Sequence, residues 1–311
     1  MAIVSRRSLL VLLAASAGFA YFARPRGAEI AEALYDIPLT PPQAPRAVYH
    51  LGHSLVGRDM PAMLSQLAGE GHRYHSQLGW GASLRDHWEP DVPVNGFEAE
   101  NAHAAHRPAV QALASAEYDA LVVTEMVELR DAIRYHDTAT YLARWAERAW
   151  GSNPDMRIYL YETWHHTDDP TGWRLRLGVD YTLLWQEQVL YPALAKTDAP
   201  IHVIPAGQVL GSFMDAVEAQ GGLPGLRGVA DLFATAADGT PDTIHMGDLG
   251  AYLVALTHFA VIYHRSPIGL PHALLRADGT PAQAPSPEAA MLMQQTVWEV
   301  VTRLPETGVS A

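Results

Sequence analysis

Two short segments of this chain carry side chains that could activate one another. The first is Gly52-His53-Ser54-Leu55, which directly follows the apolar run Ala47-Val48-Tyr49-His50-Leu51. The second is Asp242-Thr243-Ile244-His245, inside DGTPDTIHMGDLGAYL, residues 238–253. A serine hydroxyl is a weak nucleophile at neutral pH. It attacks a carbonyl when a neighbouring base, usually histidine, takes its proton, and the histidine needs an acceptor that fixes its tautomer. Ser54, His245 and Asp242 are the three groups such chemistry requires. Each segment also has a plain structural reading. The first can be a strand-to-helix turn. In the second, Asp242 can cap the following turn and leave His245 as a polar loop residue.

The surrounding pattern says which elements would have to bring these groups together. Strand-like apolar runs occupy Ala47–Leu51, Asp119–Thr124, Arg157–Tyr161 and Ile201–Ile204, and His72–Leu78 is a candidate second strand. Between and after them, helical spacing covers Met60–Ala68, Asn101–Ala116, Thr138–Trp150, Thr182–Leu194, a segment running to about Ala219, Gly250–Tyr263 and Pro287–Leu304. Strands separated by crossover-length helices predict a three-layer α/β/α fold, with a flavodoxin-like parallel sheet of about five strands. Sites in such sheets form beyond the C-terminal strand ends. Ser54, Glu125 and Trp164 each stand just after a predicted strand and so share one edge.

Gly-x-Ser-Leu after the first strand, with Asp-x-x-His before the C-terminal helices, resembles the SGNH/GDSL hydrolase superfamily. The likeness spans roughly residues 46–265, with His53 standing where the name-giving motif has aspartate. It implies that Ser54 attacks an acyl ester, that His245 is general base and then acid, and that Asp242 orients His245. It implies an oxyanion hole built from the Ser54 backbone N–H and a glycine N–H of a second block. Gly79 and Gly81 in QLGWGASLRDHW, residues 77–88, are the candidates, with Gly81 favoured of the two and a simple turn as the plain reading of either. The family's third block supplies an asparagine after the third strand. This chain has Leu121-Val122-Val123-Thr124-Glu125-Met126 there and no asparagine. Thr124 could donate through its hydroxyl. An ionised Glu125 would repel an oxyanion, so Glu125 is expected to be protonated, to point away, or to bind substrate or a neighbouring chain group.

The loops after the strands are aromatic: Trp80, Trp88, Trp164, Trp173 and Tyr161. Such rings either stack on sugars or fill the core. Trp164, Trp80 and His53 are carried forward with Glu125 as substrate-binding candidates. His165, His166, Asp168 and Asp169 form a polar loop, because adjacent residues rarely face one ion and no metal-ligand frame is present. The histidines His103, His106 and His136 read as surface or helix decoration. No metal and no cofactor are expected, since no phosphate-binding glycine motif appears.

Composition narrows the partners. The 311-residue chain has a formal charge of −13 and no block of Lys or Arg in its body, so no nucleic-acid partner is expected. It has no cysteine, which removes disulfides, zinc–thiolate sites and a cysteine nucleophile. Ser5-Arg6-Arg7-Ser8-Leu9-Leu10 opens an uncharged run to about Ala23. This is the pattern of a signal peptide or N-terminal anchor over residues 1–23, with twin-arginine character and membrane anchoring through residues 8–23 as one outcome. Residues 24–45 read as an extended, proline-rich lead-in, and residues 46–311 as the hydrolase-type domain. The expectation is an exported, periplasmic or membrane-anchored esterase acting on a small-molecule or carbohydrate ester, acetyl among the candidates. An acyltransferase of the same fold and a binding protein lacking oxyanion donors are the alternatives. A ligand-binding flavodoxin-like domain would give no reason for Ser54 and His245 to meet.

Overall fold

The computed structural model describes residues 26–236 and 238–310. Five strands form the central sheet: β1 (Ala47–His53), β2 (Arg73–Gly79), β3 (Ala120–Val123), β4 (Arg157–Glu162) and β5 (Ile201–Pro205). Their order is β2-β1-β3-β4-β5 and every neighbouring pair is parallel. The direction of winding reverses at β1, so the crevice between the C-terminal ends of β1 and β3 is the topological switch point of the sheet. Ser54 follows β1 and Glu125 follows β3 by two residues.

The strands are buried because each of their faces has a core of its own. Val48, Val122, Tyr159, Tyr161 and Ile204 pack with the helices Asp59–Ala68, Ala206–Ala219, Asp248–Tyr263 and Pro287–Arg303. Tyr49, Leu51, Leu121, Val123, Leu160 and Val203 face the opposite way, against Thr138–Ser152 and Tyr181–Leu194. The alternation of side chains along each strand therefore feeds two helical layers, which is the α/β/α sandwich expected of apolar parallel strands.

Four local readings of the sequence change. Residues 24–45 are not all extended, because Arg26–Tyr35 is a helix. Its RGAEIAEALY composition is rich in good helix formers, and none of the prolines that suggested an extended lead-in falls inside it: Pro25 precedes it in the sequence and the rest begin at Pro38. A Cβ on Gly27 would lie 1.8 Å from the Tyr191 carbonyl oxygen, so the helix docks backbone to backbone on its neighbour. Asn101–Ala116 is two helices, Phe97–Asn101 and Ala109–Ala114. Pro108 precedes the second, and the intervening chain bonds along the edge of β2 through Ser76 N–H to Ala105 C=O and Arg107 N–H to Ser76 C=O. The helix placed at Thr182–Leu194 begins at Trp173 and passes through a π-helical stretch, Tyr181–Leu190. Finally, Asp242 and His245 lie on a strand. A two-stranded antiparallel ribbon of β6 (Phe233–Thr235) and β7 (Pro241–Met246) stands outside the main sheet. The leader reading of residues 1–23 falls outside the described residues. Among the described residues no helix is long and apolar enough to cross a membrane.

Candidate active site

Strand β1 does not stop at Gly52 but continues through His53. Gly52 is small for another reason: a Cβ there would sit 2.5 Å from Thr124 Cγ2, so β1 and β3 pack too closely for a side chain. The turn comes one residue later, closed by Val56 N–H donating to His53 C=O at 2.9 Å. It leaves the Ser54 hydroxyl at the sheet edge.

The ribbon meets it from the other side. His245 Nε2 lies 3.0 Å from Ser54 Oγ, and His245 Nδ1 lies 2.9 Å from Asp242 Oδ2. The second carboxylate oxygen, Asp242 Oδ1, accepts the backbone N–H groups of Ile244 at 2.7 Å and His245 at 2.8 Å. Partial burial works to raise the Asp242 pKa, but these two amides and the imidazole outweigh it and hold the group below the ordinary aspartate value. An ionised acceptor at Nδ1 keeps the proton there and leaves the Nε2 lone pair to the serine hydroxyl. Hydroxyl, imidazole and carboxylate thus stand in series, the geometry needed to deprotonate an attacking oxygen. The ribbon is pinned by Trp164 Nε1–H donating to Ile244 C=O at 2.8 Å, and by Thr167 N–H donating to Thr243 C=O at 2.9 Å.

A cavity of about 260 Å³ opens beside Ser54 and His245. Leu55, Val56, Met60, Trp164, Met246 and Val254 give it apolar walls, and Arg58, Asp59 and Asp248 give it polar ones. Trp164 therefore does wall the cavity, although its ring is almost wholly buried and edge-on to Phe233 and Tyr161. Gly81 lies two residues beyond the end of β2, whose last residue is in register with His53. Its φ of +57° is the left-handed conformation that favours glycine, and a Cβ there would meet nothing within 4 Å.

Four of the sequence candidates take other places. Thr124 is no free donor, because its buried hydroxyl donates to Tyr161 C=O at 2.8 Å. Glu125 does not reach a substrate. It is fully buried, and its Oε1 accepts the N–H of Met126 at 2.8 Å and that of Leu84 at 3.3 Å. Burial raises its pKa to about 7, against the Met126 amide, the Thr138 hydroxyl and the Leu84 amide, which act to lower it. His53 is likewise fully buried. Leu55 N–H lies 3.4 Å from its Nδ1, so Nε2 carries the proton that binds Glu125 C=O at 2.7 Å. Burial lowers its pKa to about 4, which keeps it neutral. Trp80 is half-exposed, donates Nε1–H to Glu100 at 2.7 Å and is not among the residues lining the Ser54 cavity. Of the other loop aromatics, Tyr161 is core and Trp88 packs edge-on to Trp145.

The sequence reading overlooked His87. Its Nε2 lies 2.8 Å from Gly52 C=O, and Gln77 Nε2 lies 3.1 Å from its Nδ1. Since the amide can only donate, His87 is the Nε2–H tautomer and holds the strand end from the side opposite Thr124. Ser83-x-x-Asp86 is a capping box that announces the short helix Leu84–Trp88, but nothing in the sequence links His87 to Gly52. His165, read as a polar loop residue, is buried 3.3 Å from Asp180, beside an Arg176 that also pairs with Glu128 and Asp169. Among the described residues no group of three or more His, Asp or Glu side chains is arranged to hold a metal ion.

No family model matches the chain, and no curated protein matches it. Among solved structures it is similar to a protein from Parabacteroides merdae ATCC 43184 assigned as a GDSL-like lipase. The identity is 16%, the match covers 69% of this chain and 94% of that one, and the TM-score is 0.39.

Proposed function

We propose that this chain is an exported serine hydrolase of short acyl esters, acetyl esters of carbohydrates among them, working through an acyl-Ser54 intermediate. One observation carries the reading: a hydroxyl, an imidazole and a carboxylate from segments 191 residues apart are linked by contacts of 3.0 and 2.9 Å at the C-terminal edge of the sheet. In this reading His245 Nε2 takes the Ser54 proton as Oγ attacks the ester carbonyl. Charge collects on the carbonyl oxygen, and the backbone N–H groups of Ser54 and Gly81 face it. The Asp242 carboxylate stabilises the imidazolium. His245 then returns the proton to the departing alcohol oxygen, and water repeats the sequence to release the acid. Entry of a sugar hydroxyl instead of water would turn the same intermediate to acyl transfer.

The volume beside Ser54, about 260 Å³, supports a short acyl group, since pockets that enclose drug-sized ligands run to about 300–1,000 Å³. Export rests on the Arg6-Arg7 leader pattern. The test is hydrolysis of a chromogenic acetyl ester by the purified protein and by its Ser54→Ala variant. Turnover by the wild type and none above background by the variant is expected. A folded wild type that turns over no acyl ester removes the reading and favours a binding role.

A further inference from the structure

Glu125 stands where the related pattern offers a side-chain donor, yet its carboxyl is shut away from the cavity and bonded to main chain. Resting on the reading of Ser54 as nucleophile, we propose that Glu125 is a positioning residue that sets both backbone amides of the oxyanion site, through its side chain for the Gly81 loop and through its main chain for the Ser54 turn.

The two attachments are separate. On one side, Oε1 accepts Leu84 N–H at 3.3 Å. Leu84 opens the helix Leu84–Trp88, behind the reciprocal cap in which Ser83 N–H donates to Asp86 at 2.9 Å and Asp86 N–H to Ser83 Oγ at 3.2 Å. Its carbonyl in turn accepts Trp145 Nε1–H at 3.0 Å. Gly81 therefore lies between two fixed points, Gly79 in register with His53 and Leu84 held by Glu125 and Trp145. On the other side, Glu125 C=O accepts the Nε2–H of His53, the residue before Ser54, at 2.7 Å. One residue thus touches both segments whose amides would face the oxyanion.

This explains how the site works without an asparagine. An oxyanion donor acts only if it is fixed before charge develops, and loss of one such donor costs about 10²–10³ in rate. A loop amide three residues from its anchor is no better than that anchor. The acceptor is needed, not the charge. The Glu125 side chain accepts two N–H groups, both on Oε1, which an amide oxygen can also accept, while Oε2 has no hydrogen-bond partner among the described residues.

The test uses the full chain with three residues at position 125. Glu125→Gln keeps an acceptor of the same shape. Glu125→Met keeps the length and removes the acceptor, without burying an unpaired carboxyl. For acetyl-ester hydrolysis, Glu125→Gln should stay within about threefold of wild type. Glu125→Met should lose about 10²-fold in kcat with KM changed less than about threefold, the mark of a donor that acts in the transition state. Its rate of phosphonylation by a fluorophosphonate should fall in parallel. Hydrogen exchange of residues 79–86 should quicken in Glu125→Met and not in Glu125→Gln. Equal kcat for Met and wild type would overturn the proposal, as would equal losses for Gln and Met, because the carboxyl itself would then be in use. If Glu125→Met does not fold, the Gln variant decides alone: retained kcat supports an acceptor, and a loss of about 10² contradicts it. A wild type inert toward every ester would instead sink the hydrolase reading before this comparison began.

Discussion

The two halves of the site are built in opposite ways. Behind Ser54 the polar groups are buried and bonded to main chain: His53, His87 and Thr124 spend their donors on the carbonyls of Glu125, Gly52 and Tyr161. Around His245 the groups are open to solvent, with the imidazole about half exposed and Asp242 about a third, on a two-stranded ribbon apart from the main sheet. Buried polar networks fix a geometry but are costly when incomplete. Exposed ones stay in reach of solvent and substrate but depend on few contacts. Ser54 therefore belongs to the central scaffold, and the Asp242–His245 pair belongs to a ribbon outside the main sheet.

The largest effect should come from cutting the link between the halves. His245→Ala should lower kcat for acetyl-ester hydrolysis by about 10⁴ or more, nearly as much as Ser54→Ala, because members of such a unit act together. Independent, additive losses in the double variant would show that the two side chains do not cooperate. Next, Asp242→Asn keeps an oxygen for the Ile244 and His245 amides but loses the charge facing Nδ1, and should cost about 10³–10⁴ in kcat with folding intact. A loss below tenfold would mean that the carboxylate is only a cap.

The buried half should reveal itself in acid. His53 and His87 have folded pKa values of about 4, below the unfolded value near 6.5. The unfolded chain thus takes up protons that the fold refuses. Their contribution to stability is complete above pH 6.5, falls as pH drops from 6.5 towards 4, and levels off below. The linkage amounts to roughly 3 kcal/mol per histidine at most. Urea midpoints at pH 7 and pH 4.5 measure it, and His87→Gln should flatten the slope. Midpoints independent of pH in that window would mean these imidazoles are not held neutral.

The smallest effect concerns the tie between the halves. Trp164→Phe removes the Nε1–H donor to Ile244 C=O and leaves most of the ring packing. One hydrogen bond is worth about 1 kcal/mol, so kcat should fall about fivefold while hydrogen exchange in residues 241–246 quickens. Unchanged exchange there would place the tie elsewhere, with Thr167 as the next candidate.

Most of the sheet was legible because four of its strands are mainly apolar and stand out without help from tertiary context, whereas the edge strand β2, RYHSQLG, is largely polar and was only a candidate. Ser54, His245 and Asp242 could be picked out together because two motifs that are weak alone, Gly-x-Ser-Leu and Asp-x-x-His, occur in a restrictive order beside the right elements. What stayed hidden was long-range hydrogen bonding. Thr124 and Glu125 looked like edge residues, yet Thr124 turns back into the sheet to Tyr161 and Glu125 turns to the first residue of a helix, Leu84. His87 gave no sign because its partner, Gly52 C=O, is a backbone group 35 positions away. The helix Arg26–Tyr35 was masked by prolines on either side of it, Pro25 before and Pro38 onward after.

The most direct measurement is mass mapping of the protein after treatment with a fluorophosphonate, in the wild type and in His245→Ala. One adduct per chain, on the peptide containing Ser54, with hydrolysis lost in step and labelling absent from the variant, is the expected result. An adduct on another residue, or equal labelling of Ser54 without His245, would contradict a hydroxyl activated by that imidazole.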